Sequence, residues 1–138
     1  MITILAFIFC YDIWFYCSHI LLHKRQLYVY HKIHHSIPNP RFLDTYVGHF
    51  IESPFQSLGF LLPLVCIPYT FVDVIASLAF LNIRGMMRHD DRMIFLIGNH
   101  HYLHHLHPNY NFGEFWIDAL CGTLYPIKEQ RVAGLLYI

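Results

Sequence analysis

Twelve histidines occur in this 138-residue chain, and most of them fall into three short clusters. The clusters are His19-x3-His23, His31-x2-His34-His35 and His101-x2-His104-His105. Residues spaced by three and four share one face of a helix, so each cluster projects its imidazoles from one side. Eight imidazole nitrogens are too many for one ion. The chain is therefore predicted to gather three histidine-bearing helices around a two-metal site.

The composition indicates a membrane protein with a single domain, residues 1–138. Hydrophobic residues make up 56% and charged residues 13% of the chain, against roughly 25% charged in a typical soluble domain. The formal net charge is zero, which argues against a nucleic-acid partner. The four cysteines form no CxxC pair, so buried thiols are favoured over a disulfide framework or a zinc ribbon.

Residues 1–22 form an apolar run that is long enough to cross a bilayer core of about 30 Å. A signal peptide is disfavoured because the run lacks a basic start and a small-residue cleavage site, and because Asp12 and His19 interrupt it. Asp12, His19 and His23 can share one helical face. Asp12 can pair with a neighbouring helix or orient a ligand imidazole, and the second interpretation is favoured.

Residues 26–35 are predicted to form a short amphipathic helix that ends at 36–40, where two prolines follow. The apolar residues 55–82 can form one long span or a hairpin broken near Pro63 and Pro68. A single crossing would separate His101 from His31 across the bilayer, so the hairpin is favoured. Asp73 within it has no assigned partner.

The remaining residues are predicted to return to the first histidine-bearing face. A polar stretch at 84–92 is followed by the third histidine helix, and residues 114–126 are predicted to form a helix with Gly122 near its end. All nine Lys and Arg residues fall on the histidine side in this arrangement. The positive-inside rule makes that side cytoplasmic.

The ligand types favour iron without excluding zinc. A structural zinc site takes four ligands and commonly includes cysteine, whereas an all-imidazole site of eight or more nitrogens beside a membrane suits two irons that activate O2. A single histidine on an apolar face is usually a hydrogen-bonded core residue. On that ground His107 is excluded, and His100 is not counted as a ligand.

The order of the three clusters, with an apolar hairpin between the second and third, resembles the fatty acid hydroxylase and sterol desaturase superfamily. Four further segments resemble motifs of the sterol C-5 desaturases (lathosterol oxidases). Residues Asp12–His19 resemble the Asp-x3-Tyr-x2-His motif of that group, and His49–Glu52 resemble its His-Pro-Ile-Asp motif. Residues His89–Asp91 resemble its His-Asp-Gly motif, and Asn109–Gly113 resemble its Asn-Tyr-Gly segment. The chain departs from the family at Ile20 (usually Arg), at Phe50 (usually Pro) and at 119–122 (usually Asp-Arg-Leu-Gly). It is also shorter at its N-terminus than members generally are.

This resemblance implies an all-α integral membrane enzyme whose transmembrane helix, apolar hairpin and cytoplasmic histidine-rich helical cap hold two Fe ions. The implied ligands are His19, His23, His31, His34, His35, His89, His101, His104 and His105, with His49 as a tenth candidate. Asp12, Asp90 and Asn109 are implied to support them. O2 is the implied co-substrate, cytochrome b5 or a comparable protein the electron donor, and the endoplasmic reticulum the location in a eukaryotic host.

The predicted function is O2-dependent desaturation or hydroxylation of an unactivated C–H bond in a membrane lipid, with a sterol favoured. A fatty acyl or sphingolipid hydroxylase remains an alternative, as do a non-catalytic metal-binding membrane protein and a remnant that binds a lipid or a partner protein. Two apolar segments make few walls for a lipid cavity, so pairing with another copy or another membrane protein is expected. Metal occupancy is expected to fall below about pH 6, because ligand imidazoles must be deprotonated.

Overall fold

The computed structural model describes residues 2–136 and contains no strand in that range. The α-helices are α1 Ile2–Leu22, α2 Glu52–Ser57, α3 Leu61–Cys66, α4 Phe71–Arg88, α5 Ile94–Ile97, α6 His100–Leu106 and α7 Phe115–Cys121. Shorter 3₁₀ segments lie at Tyr28–Tyr30, His34–Ser36, Phe42–Tyr46, Leu58–Phe60, Asp91–Met93 and Lys128–Gln130. The predicted all-helical fold is confirmed.

Helix α1 is the one helix in residues 2–136 that is long and apolar enough to cross a membrane. Its 21 residues correspond to a length of about 32 Å. Phe7 is buried against Phe60 and Leu81, whereas Ile2 and Phe9 are exposed. The exposed apolar side of α1 therefore has the composition of a lipid-facing surface.

The apolar hairpin turns between α3 and α4, at residues 67–70, and Pro63 does not break it. Pro63 is the third residue of α3, where a helix needs no backbone donor. Helix α4 begins with a capping box: the Asp73 amide donates to the Thr70 hydroxyl (3.2 Å), and the Thr70 amide donates to Asp73 (2.9 Å). This contact explains an acidic residue in an apolar segment.

Helix α4 continues into the first half of the predicted polar stretch at 84–92 and ends at Arg88. Its two arginines are accommodated because they are buried against carboxylates. Arg84 binds the Asp12 carboxylate of α1, with one contact of 3.0 Å, and lies 3.2 Å from Glu114; Arg88 also binds Glu114. This ion network joins α1, α4 and the residue that precedes α7.

Close packing fixes α1 against residues 52–66. The indole of Trp14 donates to the Phe55 carbonyl at 2.7 Å. A Cβ atom on Gly59 would lie 2.4 Å from the Trp14 Cβ, so the two backbones approach as closely as they do because residue 59 has no side chain.

The predicted α-helix at 26–35 is wrong. Residues 24–36 form consecutive turns and 3₁₀ segments, in which several backbone amides bond three residues back, as from Tyr30 to Leu27 (3.0 Å) and from Ser36 to Ile33 (3.1 Å). The third histidine helix and the helix after it are present as α6 and α7. Gly122, with φ +72°, follows α7 as expected for a helix C-terminus.

Candidate metal centre

The structure brings the eight histidines of the three clusters, together with His89, into two groups of ring nitrogens. The five-histidine group consists of His19, His23, His31, His35 and His104. The four-histidine group consists of His34, His89, His101 and His105. In each group, one nitrogen per residue lies within 4.8 Å of the others. The second cluster contributes His31 and His35 to the first group and His34 to the second, and the third cluster is divided in the same way, with His104 in the first group and His101 and His105 in the second.

The distances between Nε2 atoms fit ligands of a common ion. In the five-histidine group, His19 and His31 are separated by 3.0 Å and His23 and His104 by 3.1 Å. Two nitrogens that are each about 2.1 Å from one ion lie about 3.0 Å apart at a right angle and about 3.4 Å apart at the tetrahedral angle. The observed spacing therefore suits a site with more ligands than a tetrahedral structural zinc.

Five of these imidazoles are oriented by an acceptor at Nδ1. The Nδ1 contacts are His19 to the Phe112 carbonyl (2.6 Å), His31 to Glu52 Oε1 (2.8 Å), His34 to the Val47 carbonyl (3.0 Å), His89 to the Gly85 carbonyl (2.7 Å) and His104 to the Tyr110 carbonyl (2.7 Å). A carbonyl only accepts, so the four rings bonded to carbonyls carry the proton on Nδ1 and a lone pair on Nε2.

This tautomer makes neighbouring Nε2 atoms repel each other unless a cation lies between them. His34 and His89 both donate through Nδ1 to carbonyls, yet their Nε2 atoms are only 3.0 Å apart. Two lone pairs cannot form a hydrogen bond with each other. A metal ion would convert this repulsion into coordination, and the residues present therefore fit the implied metal.

Protons are poor substitutes for that cation because the imidazoles are buried. Burial lowers the pKa of His31 to about 4, and burial together with the neighbouring His34 lowers the pKa of His89 to about 3. The pKa of His104 is also well below its ordinary value, first through burial and then through His23 and His35. The rings are thus neutral near pH 7, as metal ligands must be.

A cavity of about 280 Å³ opens beside both groups. Its walls include five of the nine imidazoles and apolar side chains. Phe15, Phe60, Leu61 and Leu81 are among these apolar residues. Such a cavity lies near the lower end of the range for small-molecule sites, roughly 300–1,000 Å³, and it can hold an apolar segment of a ligand next to the histidines.

Four of the predicted site residues lie away from the nitrogen groups. His49 packs against Tyr30 and Phe50. Asp12 binds Arg84 instead of an imidazole, so the alternative of a partner on a neighbouring helix describes it. Asp90 accepts from the Phe42 amide and from Arg92, and Asn109 is exposed. His107, expected to lie outside, stacks on Tyr125 with ring centroids 4.3 Å apart.

Several residues that support the imidazoles received no role from the sequence. Glu52 accepts from His31, and burial raises the pKa of its carboxyl to about 7. Asn111 and Asp118 hold the loop whose carbonyls bind His19 and His104. The sequence does point to these residues, because they lie inside or beside the motifs at 49–52 and 109–113. It does not indicate which backbone carbonyls bind the imidazoles.

Comparison with known proteins gives a consistent set of relatives. The family model described as fatty acid hydroxylase matches residues 4–123. A Delta(7)-sterol 5(6)-desaturase of Candida glabrata is 29% identical, over 89% of this chain and 36% of its own length. One from Schizosaccharomyces pombe is 33% identical, over 79% of this chain and 38% of its own. The chain thus spans little more than a third of these relatives. No solved structure matches it.

Proposed function

The chain belongs to the fatty acid hydroxylase family, and from that premise we propose that it carries the two-metal centre of an O2-dependent membrane lipid oxidoreductase. The resemblance to sterol C-5 desaturases, inferred from the motifs at 12–19, 49–52, 89–91 and 109–113, agrees with the names of these relatives. The observation that carries the proposal is the close approach of Nε2 atoms, such as those of His34 and His89, whose lone pairs face each other.

Two Fe ions are the proposed cofactor, one in each histidine group. Five nitrogen donors are more than the four ligands of a structural zinc site, and their separations correspond to nitrogen–metal–nitrogen angles of about 90°. Imidazole is also a suitable donor for iron. When bound, the two irons would supply the activation of O2 that oxidation of an unactivated C–H bond requires. The chain's own contribution is to keep the nine imidazoles neutral by burial and to orient five of them through an acceptor at Nδ1 before any metal arrives.

The cavity supports a lipid as the substrate. Phe15, Phe60 and Leu81 would contact the hydrocarbon and exclude water from the bond to be oxidised. Because His19 and His31 of one group and His89 and His101 of the other line the same cavity, that bond would lie next to both groups. We favour a sterol because both relatives are sterol desaturases, with a fatty acyl chain as the alternative.

The overall chemistry requires an external source of electrons. Removal of two hydrogens from the lipid yields two electrons and two protons, whereas reduction of O2 to two water molecules consumes four of each. The other two electrons must come from a donor, for which cytochrome b5 or a comparable protein is proposed. Hydroxylation has the same requirement, because one oxygen atom enters the lipid and the other leaves as water.

The proposed location is the endoplasmic reticulum membrane, with the histidine groups on the cytoplasmic face. Helix α1 would cross the bilayer, and the segment that follows it would lie at the surface. Lys24, Arg25 and Lys32 are exposed or partly exposed there, next to the histidines. Basic residues at the end of a span favour the cytoplasmic side.

Metal analysis of the purified full-length protein tests this proposal most directly. We expect about two irons per chain, together with conversion of a Δ7-sterol in cells that lack their own C-5 desaturase. Bound metal without conversion would remove the sterol assignment and leave a metal-binding protein. A protein that binds no metal under any loading condition would overturn the proposed function.

A further inference from the structure

One short loop, residues 110–113, supplies two of the acceptors that orient the five-histidine group. The Tyr110 carbonyl accepts from His104 Nδ1, and the Phe112 carbonyl accepts from His19 Nδ1. The acceptors of the four-histidine group lie elsewhere, at Val47 for His34 and at Gly85 for His89. The loop therefore serves only one of the two groups.

Asp118 of α7 fixes this loop through both of its carboxylate oxygens. Oδ1 accepts from the Phe112 amide (2.9 Å) and from the Thr123 hydroxyl (2.6 Å), and Oδ2 accepts from the Gly113 amide (2.8 Å) and from His100 Nε2 (2.9 Å). A carboxylate can accept about four hydrogen bonds, so these four contacts satisfy the Asp118 carboxylate completely. Asp118 is completely buried.

Asn111 holds the loop from the other side. It is the one residue other than glycine with positive φ (58°) among residues 2–136. Its side chain donates to the His100 carbonyl (3.0 Å) and accepts from the Tyr125 amide (2.8 Å), and its own amide donates to the Thr123 carbonyl (2.8 Å). The loop is thus built as a rigid unit.

We infer that Asp118 is a positioning residue for the five-histidine group, acting through the carbonyls of residues 110 and 112 on His104 and His19. Asp118 touches no member of either group. Its carboxylate holds the two amides of Phe112 and Gly113, which directs the Phe112 carbonyl at His19. The inference rests on the proposed metal centre, and it predicts that the five-histidine group depends on Asp118 whereas the four-histidine group does not.

Asp118→Asn tests the inference because it changes little in shape. Each oxygen of Asp118 accepts from a backbone amide, so the new NH2 group must face one of these donors and the loop must shift. We expect metal affinity of the five-histidine group to fall roughly 10–100-fold, with the four-histidine group nearly unchanged. A metal titration of the full-length protein would show one of two equivalents weakened.

A second readout does not require iron. Side-chain ¹⁵N NMR of histidine-labelled protein with zinc, which is diamagnetic, reports which ring nitrogen carries the proton. In Asp118→Asn we expect His19 and His104 to lose the fixed Nδ1–H form, while His34 and His89 keep it. If the parent protein binds no metal, the proposed function fails, but this measurement on metal-free protein still decides the role of Asp118.

Asp90→Asn is the matched control, since Asp90 is equally buried, bonds to the Phe42 amide and Arg92, and does not contact the loop. It should leave His19 and His104 unchanged. Thr123→Val, which removes one bond to Asp118, is the milder variant should Asp118→Asn not fold, and its effect should be smaller and equally selective. Loss of both equivalents together, or no change at His19 and His104, would overturn the inference.

Discussion

At the scale of single residues, the nine histidines differ in what holds their Nδ1 atoms. Five have an acceptor, whereas the Nδ1 atoms of His35, His101 and His105 are buried without a partner among the described residues. Both nitrogens of His105 are in this state. A buried polar atom without a partner costs free energy, so coordination of a metal by His105 would remove one of these costs.

Removal of single imidazoles should separate ligands from bystanders. His34→Ala and His104→Ala each open a coordination position, and we expect bound metal to fall and lipid oxidation to be lost. Loss of a group that merely supports a ligand typically costs about 10–100-fold in affinity or activity, so loss of a ligand should cost at least that.

His107→Ala is the control for these variants, because His107 stacks on Tyr125 outside both groups. It should keep its metal and its conversion of a Δ7-sterol in cells without a C-5 desaturase. Full conversion by His104→Ala would contradict the two-metal proposal.

Glu52 should matter to metal binding although it is not proposed as a ligand. Its carboxylate accepts from His31 Nδ1 at 2.8 Å, and both side chains are almost fully buried. Glu52→Ala leaves that ring free to rotate or to change tautomer, so we expect metal affinity to fall about 10–100-fold. A competitive titration with a chelator measures this, with the exposed Glu129→Ala as control. Equal affinities in the two variants would show that His31 needs no acceptor.

Residue spacing predicted that the eight histidines of the three clusters meet, whereas His89 was implied only by the family resemblance. Spacing did not predict how the imidazoles are held. The i, i+3 and i+4 positions placed His101, His104 and His105 on a common side of a helix, as they are in α6. The carbonyls of Phe112 and Tyr110 could not be predicted, since every residue has one and only the fold decides its direction. Asp12 was assigned to an imidazole because the sequence does not reveal that Arg84 lies beside it.

At the scale of elements, the close contact between α1 and residues 58–60 should make the stability of the protein sensitive to a side chain added at residue 59. A Cβ atom at residue 59 would overlap the Trp14 Cβ at 2.4 Å and approach the Cys10 carbonyl oxygen at 2.9 Å. Gly59→Ala must therefore push the two segments apart, and we expect a loss of about 1–3 kcal/mol. Thermal unfolding in detergent should show a clearly lower Tm.

Gly85→Ala provides the matched control within α4. There the nearest neighbour of a new Cβ is the Thr45 hydroxyl at 3.6 Å, which is an ordinary contact. Alanine also favours a helix interior over glycine by about 1 kcal/mol. The Tm of Gly85→Ala should stay level or rise. A Tm for Gly59→Ala at or above that of Gly85→Ala would refute the packing argument.

The helices could be predicted where hydrophobic periodicity and helix-breaking residues indicate the same bounds. They could not be predicted where tertiary contacts determine the bounds. The long apolar run became α1, and Pro68 lies at the hairpin turn. Helix α4 extended past its predicted end because Arg84 found carboxylate partners on other segments. Residues 26–35 have an amphipathic pattern that predicts a helix, but they form turns and 3₁₀ segments. The division of their histidines between two nitrogen groups does not explain this, because the α-helix α6 divides its own histidines between the same groups.

At the scale of the whole molecule, the proposed topology can be tested by labelling. In the proposed topology the hairpin would return the chain to the face from which it left, so introduced cysteines near residues 38 and 110 should react from the same, cytoplasmic side. The Tyr102 hydroxyl donates to Asn39 at 3.1 Å, which brings α6 next to the segment around residue 38. Reagents that do not cross membranes should label both sites or neither in sealed vesicles. Opposite sidedness would exclude a common metal site.

The pH dependence of stability should also be a property of the whole molecule, because many buried groups titrate together. Eight of the nine histidines lie outside α1, and each has a pKa below 6.5 in the folded protein, with His23 and His89 at about 3 and His31 at about 4. Below pH 6.5 the unfolded chain binds these protons and the native protein does not, so stability falls with falling pH, by up to about 1.4 kcal/mol per pH unit for each histidine.

The Glu52 carboxyl acts in the opposite direction and should be outweighed. Burial raises its pKa to about 7, so in the native state it binds a proton more tightly than in the unfolded chain and favours folding as the pH falls from 7 toward 4.5. Because the histidines are more numerous, and because protons compete with metal for the same nitrogens, we expect both Tm and bound metal to be lower at pH 5.5 than at pH 7.5. Thermal unfolding and metal analysis at the two pH values measure this. A Tm that is unchanged or higher at pH 5.5 would mean that the imidazoles are not held neutral in the native protein.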